Sequence, residues 1–173
     1  MSSRAEPGGD TPDLIGPRIV VGVDGSASSI TALAWAAAEA QLRGAALEVV
    51  HSNFARREAL QALAPGMLDA ETSVLEHAVG RAKTLAPNIP VTGRVCEPPA
   101  GEALIAASEG AEMLVVGSRG LSGLKAMTLG SVSSECAHRA LCPVVIIRLP
   151  IRQPAPHPGE DLAGSSSARD SRP

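Results

Sequence analysis

Short apolar runs alternate along the chain with longer segments whose apolar residues recur at helical spacing. The first run, RIVVGVD, covers Arg18 to Asp24 and is almost continuously apolar, as expected for a strand covered on both faces. Further strands are predicted in AALEVVHS, PVTGRVCE, EMLVVG and CPVVIIR, of which PVTGRVCE alternates most between apolar and polar positions. The pattern therefore predicts five strands.

Helices are predicted between these strands. In SASSITALAWAAAEAQLRG, Ser26 or Ser28 can cap the first turn and Gly44 can end the helix. The residues expected to share one face of this helix are Ile30, Leu33, Ala34, Ala37 and Gln41. Three more helices are predicted, one after Pro65–Gly66, one in PAGEALIAASEG and one in SVSSECAHRAL.

Strands that alternate with helices in this way are typical of a mostly parallel sheet with helices on both faces. Right-handed crossovers leave few ways to wind such a sheet. We predict a single, doubly wound α/β domain over residues 18–150, with a five-stranded parallel sheet in the order 3-2-1-4-5. The segments 1–17 and 151–173, rich in Gly, Pro, Ser and Asp, are predicted to be disordered tails.

Ligands of doubly wound sheets bind beyond the carboxyl ends of the strands where the strand order reverses, here between strands 1 and 4. The loop after strand 4 contains Gly117, Gly120, Gly123 and Gly130, and the last helix begins at Gly130–Ser131. A helix N-terminus binds anions through its exposed amides and its dipole. Asp24 ends strand 1 opposite this loop, where its carboxylate could accept a hydrogen bond from a ribose hydroxyl or a base amine, or cap the DGS turn.

Composition and motifs exclude several functional classes. Trp35 and Phe54 are the only aromatic residues, the formal net charge is -3, and no basic block occurs, which argues against nucleic-acid binding. There is no Walker loop, no G-x-G-x-x-G after the first strand and no G-x-S-x-G elbow. No apolar run could span a bilayer and no secretory signal is recognisable, so we expect a cytoplasmic protein. The cysteines and histidines show no metal-site spacing, and the cysteines are expected to be buried thiols.

The two segments RIVVGVDGSASSITALAWAAAEAQLRGAALEVVH and LVVGSRGLSGLKAMTLGSVSSECAHRALCPVVIIR resemble universal stress proteins, and the resemblance covers Arg18 to Arg148. The ATP-binding pattern of that family is Gly, two residues, Gly, nine residues, then Gly followed by Ser or Thr. Gly117, Gly120, the nine residues Leu121 to Leu129, and Gly130–Ser131 fit this pattern without a gap.

The resemblance implies an ATP site with Mg²⁺ or Mn²⁺ on the phosphates. Asp24 would contact the adenosine, the first two glycines would admit the ribose and phosphates, and the start of the last helix would bind the phosphates. Ser52 stands where the family commonly has an apolar residue that packs on the adenine, which leaves the choice among adenine nucleotides open. The implied site residues are Val23, Asp24, Ser52, Val116, Gly117, Gly120, Gly130, Ser131, Val132 and Ser133.

No residue pair forms a convincing general base and nucleophile, so the sequence favours a nucleotide-dependent stress regulator over an enzyme, with slow ATP hydrolysis at most. The alternative is a ligand-independent interaction protein of the same fold. A phosphotransfer receiver is disfavoured because Cys96–Glu97 stands where it needs an aspartate, and a flavin carrier because aromatic residues are scarce. The last strand, Pro143 to Arg148, is an apolar edge that predicts an isologous homodimer, and the family similarly often dimerises through this strand.

Overall fold

A computed structural model of the chain describes residues 16–52, 66–97, 99–120 and 129–149. Within them, strands and helices alternate in this order: β1 (Arg18–Val23), α1 (Ala27–Arg43), β2 (Ala46–Ser52), α2 (Gly66–Leu85), β3 (Val91–Cys96), α3 (Ala100–Ala107), β4 (Met113–Gly117), α4 (Ser131–Arg139) and β5 (Val144–Ile147). Residues 1–15 and 151–173 of the predicted tails, and residues 121–128 of the glycine-rich loop, lie outside the described residues.

The strands form one parallel sheet in the order β3-β2-β1-β4-β5, which confirms the predicted fold class. The central strand β1 pairs with β2 on one side and β4 on the other, so that Ile19 lies beside both Leu47 and Met113. The strand order reverses between β1 and β4, as predicted. This places the carboxyl ends of β1 and β4 side by side at one edge of the sheet.

Two apolar layers cover the sheet because alternate residues of each buried strand face opposite sides. On one side, Ile19 and Val21 of β1 pack with the buried faces of α1 and α2. On the other side, Val20 of β1 and Val50 of β2 pack with Leu104 of α3 and Cys136 of α4. Both sides need apolar residues, which explains why β1, β2 and β4 are continuous apolar runs.

Helix α1 has the predicted caps, and its predicted face is buried at Leu33 and Ala37 but not at Ile30 or Gln41. Ser26 caps its first turn, and Gly44 ends it with φ of +64°. The buried hydrophobic residues of α1 are Ala32, Leu33, Ala36, Ala37 and Ala40, whereas Ile30 is 39% exposed and Gln41 is exposed. The small alanine side chains let the helix lie close to the sheet, and the bulkier Ile30 is left at the flank. No helix among the described residues is long and apolar enough to cross a membrane.

Candidate functional site

A pocket of about 390 Å³ lies where the carboxyl ends of β1, β2 and β4 meet the first turns of α3 and α4. It is lined by Gly22, Val23, Asp24, Ser29, Val50, Ser52, Ala100, Leu104, Val116, Gly117, Arg119, Gly120, Gly130, Ser131, Val132 and Ser133. All of the site residues that the sequence predicts are among them. The structure thus brings these residues together at the expected crevice, and their binding role stays a prediction.

The DGS turn after β1 fixes the position of Asp24. Gly25 has φ of +81°, a left-handed conformation that glycine adopts without steric cost. Asp24 Oδ1 accepts a hydrogen bond from the Ser26 amide at 3.0 Å, and Ser26 Oγ accepts one from the Ser29 amide at 3.2 Å. Asp24 therefore stabilises the turn and lines the pocket at the same time, so the two roles considered for it are compatible.

The loop after β4 is fastened to the first turn of α1. The Arg119 carbonyl accepts a hydrogen bond from the buried Ser28 hydroxyl and a longer one, at 3.4 Å, from Ser26 Oγ. A Cβ atom on Gly117 would lie 2.8 Å from the Ser28 carbonyl carbon and 2.9 Å from the Ser29 amide nitrogen. Gly117 is thus required by the close approach of two backbones, independently of any ligand.

Gly120 and Gly130 differ from Gly117 in what surrounds them. A Cβ atom on Gly120 would lie 2.7 Å from Asp24 Oδ2, which is the end of a side chain, and one on Gly130 would make only ordinary contacts of 3.6 Å or longer. Positive φ occurs in the described residues at Gly16, Gly25, Gly44 and Gly110. The described loop glycines therefore do not form a left-handed turn, and Gly117 is the one among them that a close backbone approach requires.

The first turn of α4 presents free amides at the pocket. Gly130 is its N-cap and makes no side-chain capping bond, so the amides of the first turn have no acceptor within the helix. The Ser133 hydroxyl is directed to the protein itself, 3.0 Å from the Gly130 carbonyl and 3.3 Å from the Ser118 carbonyl. Ser133 can therefore offer an anion its backbone amide, whereas its hydroxyl could bind an anion only by breaking these contacts.

The remaining wall of the pocket is mainly apolar. Val50, Leu104 and Val116 are buried there, and Ala100 lines the pocket from the first turn of α3. Sequence analysis missed this contribution of α3, although every helix that follows a strand in a parallel sheet begins at the same edge. Among the described lining residues, Asp24 and Arg119 carry the charges.

Two neighbouring residues at the end of β2 point to opposite faces of the sheet. The His51 ring donates from Nδ1 to the Val23 carbonyl at 2.8 Å, so this histidine ties β2 to the end of β1. Ser52 lines the pocket, and its buried Oγ has no hydrogen-bond partner within the described stretches. Ser52 is thus the one hydroxyl-bearing pocket residue of β2.

The cysteines are free thiols, but the predicted burial holds only for Cys136, which is fully buried, whereas Cys96 and Cys142 are half-buried. Burial raises the pKa of the Cys136 thiol to about 11, with the nearby Glu135 carboxylate adding to the effect. Such a thiol stays protonated and unreactive at neutral pH. The described residues contain no group of three or more His, Cys, Asp or Glu side chains that could hold a metal ion.

Comparison with known proteins gives one consistent family. The profile of the Universal stress protein family matches residues 17–148. The universal stress protein Rv2624c of Mycobacterium tuberculosis is 34% identical over 160 residues, a match that covers 90% of this chain and 54% of that protein. The chain thus spans about half the length of the curated relatives it matches.

Two solved structures share the fold of this chain and are more than 25% identical to it in sequence. A universal stress protein in complex with cAMP is 29% identical, with a TM-score of 0.62 over 76% of this chain and 96% of that one. The universal stress protein of Archaeoglobus fulgidus in complex with dAMP is 26% identical, with a TM-score of 0.57 over 77% of this chain and 98% of that one. The chain therefore belongs to the universal stress protein family.

Proposed function

We propose that this chain binds an adenine nucleotide in the pocket between β1, β2 and β4, and acts as a nucleotide-dependent stress regulator rather than as an enzyme. The observation that supports the proposal most is that the free amides at the start of α4 and an apolar wall line the same pocket. The amides suit a phosphate, and the apolar wall suits a base. Both solved relatives described above hold adenine nucleotides.

Magnitudes indicate that the whole pocket must contribute. A helix dipole supplies about 0.3–1 kcal/mol, whereas micromolar binding needs about 8 kcal/mol. The start of α4 therefore positions a phosphate, and most of the affinity has to come from several amides and from burial of the base. Val50, Leu104 and Val116 provide the apolar surface for that burial.

Within the adenine nucleotides, we propose ATP with Mg²⁺ as the ligand. Mg²⁺ keeps several waters and is usually held by one or two carboxylates together with substrate phosphates. Asp24 is the carboxylate that lines the described part of the pocket, so such an ion would depend on the phosphates for most of its ligands. The described lining pairs no nucleophile with a general base, which supports slow hydrolysis at most.

One observation favours the alternative, a ligand-independent interaction protein. The fold itself needs Gly117, because a side chain there would collide with the backbone of α1. A glycine of the ATP-binding pattern could thus persist without any nucleotide. To distinguish the two functions, a variant is needed that alters the phosphate end of the pocket and leaves the packing of the fold intact.

Gly130→Val is that variant. Its side chain would enter space at the start of α4 where Cβ meets only ordinary contacts, and it would compete with a bound phosphate. Gly80→Val is the matched control, because Gly80 lies on α2, outside the pocket, with nothing within 4 Å of a Cβ. Wild type and both variants should be titrated calorimetrically with ATP–Mg²⁺, AMP and cAMP, after denaturation of a sample to detect retained nucleotide.

We expect wild type and Gly80→Val to bind the nucleotide with equal affinity, and Gly130→Val to bind it at least ten-fold more weakly. The circular dichroism spectra of both variants should match that of wild type. Preference for ATP–Mg²⁺ over AMP and cAMP would support the triphosphate. Absence of binding by wild type, in a preparation free of retained nucleotide, would overturn the proposal and favour the interaction protein.

A further inference from the structure

The face of the sheet that borders the pocket has a gap at Gly22 of β1. Gly22 pairs with Val50 of β2, and Val116 of β4 lies on its other side, so the row of side chains across these three strands lacks its central member. Glycine in a strand interior often marks a site where another group approaches closely. The floor of the pocket at this point is therefore formed by the group that fills the gap.

Leu104 of α3 fills this gap. A Cβ atom on Gly22 would lie 2.8 Å from Leu104 Cδ1 and 3.0 Å from Leu104 Cδ2, so both methyl groups of the leucine lie against the glycine backbone. Leu104 is 5% exposed, and it lines the pocket together with Gly22. The depth of the pocket at its apolar end thus depends on one leucine side chain that a glycine allows to lie close to the sheet.

A side chain at position 22 would push Leu104 in a definite direction. A Cβ contact of 2.8 Å is shorter than proteins tolerate, so the end of the leucine would have to move. Val20, Leu114 and Cys136 belong to the same core cluster and are fully buried, and close-packed cores give way little. The pocket is open space, so Leu104 would move into it and make it shallower.

Truncation of Leu104 would have the opposite effect. Truncating a buried leucine can leave a cavity of about 150 Å³, which holds a benzene ring. At Leu104 this cavity would open into a pocket of about 390 Å³. Leu104 belongs to the apolar wall that the proposed function assigns to the base. The added space would therefore accept an apolar extension of the base.

We infer that Leu104, seated on Gly22, sets the depth of the pocket and restricts its ligands to nucleotides whose base carries no bulky substituent. This inference rests on the proposed function, to which it adds a limit on ligand size. The selectivity arises by exclusion, because a fixed wall rejects ligands that would collide with it. Leu104 is the specificity-determining residue, and Gly22 is a positioning residue that acts through it.

The test varies the size of the ligand and of the two side chains together. Wild type, Leu104→Ala, Gly22→Ala and the double variant are titrated calorimetrically with AMP and with three analogues that carry a benzylamino group at purine position 2, 6 or 8. Ile105→Ala is the control for truncation, because Ile105 of α3 packs against the same core but does not line the pocket. Gly93→Ala is the control for the glycine, because its Cβ would lie 2.6 Å from Val79 Cγ2, outside the pocket lining.

We expect wild type to bind AMP more tightly than any of the analogues. Leu104→Ala should bind at least one analogue about ten-fold or more tightly than wild type binds it. Gly22→Ala should weaken AMP binding by about five-fold or more in the wild-type background, but by less than about two-fold in the Leu104→Ala background. Ile105→Ala and Gly93→Ala should keep the order of affinities that wild type shows.

Circular dichroism establishes that each variant is folded, and Leu104→Val provides a milder truncation should Leu104→Ala not fold. With a wild type that binds AMP, the inference would be overturned if neither truncation gained affinity for any analogue. It would also be overturned if Gly22→Ala weakened AMP binding equally in both backgrounds. If wild type bound neither AMP nor ATP–Mg²⁺, the proposed function itself would fail.

Discussion

At the scale of single residues, the glycines around the pocket have different physical duties. Gly25 permits a left-handed turn, Gly117 permits two backbones to approach, and Gly130 leaves room at the start of a helix. Substitution distinguishes Gly117 from Gly130, because a methyl group should affect folding at a glycine with close backbone neighbours and not at one with only ordinary contacts around its Cβ position.

Gly117→Ala should lower the free energy of unfolding by about 1–3 kcal/mol, since its Cβ would press on the backbone of Ser28 and Ser29. Gly130→Ala is the matched control and should change that free energy by less than about 1 kcal/mol, because its Cβ makes only ordinary contacts. Urea unfolding followed by circular dichroism measures both. Equal stability of Gly117→Ala and wild type would contradict the packing role.

The sequence predicted the residues of the site better than their contacts. The glycine pattern, together with the resemblance to universal stress proteins that it supports, picked residues that all line one pocket. It could not show that the Ser133 hydroxyl faces two carbonyls or that the Ser28 hydroxyl holds the Arg119 carbonyl. Such contacts depend on side-chain rotamers and on how closely α1 and α4 approach the loop.

At the scale of elements, a buried ion network joins β1, β2, β3 and α3. Glu48 of β2, with a side chain 6% exposed, contacts Arg94 of β3 at 2.6 Å and Arg18 of β1 at 3.5 Å. Arg18 also donates to the Ala107 and Glu109 carbonyls at 3.1 and 2.6 Å. A cation at this end of α3 satisfies helix carbonyls and complements the helix dipole.

Glu48→Gln should lower the free energy of unfolding by about 3 kcal/mol, because it leaves two arginines without their shared carboxylate. The value lies at the low end for buried pairs, since the side chains of Arg18 and Arg94 are 24% and 35% exposed. Glu39→Gln is the control: its contact with Arg43, one helical turn away at the surface, should contribute less than about 1 kcal/mol. Similar urea midpoints for the two variants would contradict this account.

The sequence predicted the order and type of the elements, but only part of the buried face of α1. Five buried runs separated by helical segments allow few windings, and the observed order is among them. The alanine-rich sequence of α1 gives a weak periodic signal, so bulky Ile30 seemed to mark the buried face. Close packing on β1 and β4 instead selected the small side chains, a choice that depends on the sheet below rather than on the helix alone.

At the scale of the whole molecule, β5 forms one edge of the described sheet and remains the expected homodimer contact. The Pro143 carbonyl accepts from the Leu114 amide at 2.9 Å, and the Ile147 carbonyl accepts from the Ser118 amide at 2.8 Å. Backbone polar groups alternate along a strand, so those of Val145 also face β4, whereas those of Val144 and Ile146 face the open edge.

Ile146→Pro should therefore yield a folded monomer, because it removes an outward amide and spares the bonds to β4. Ile146→Ala is its control: it loses similar side-chain packing, keeps the amide, and should remain dimeric. Val145→Pro should instead damage the sheet itself, since that amide faces β4. Sedimentation velocity and circular dichroism distinguish these cases, and a dimeric Ile146→Pro variant would exclude pairing through β5.

The scarcity of aromatic residues has a practical consequence for work on this protein. The chain has one tryptophan and no tyrosine, and Trp35 is not among the residues that line the pocket. Absorption by the polypeptide in the near ultraviolet is therefore weak, and a stoichiometric purine would dominate the spectrum near 260 nm. The ratio of absorbance at 260 and 280 nm in a freshly purified sample thus reports retained nucleotide directly, without label or probe.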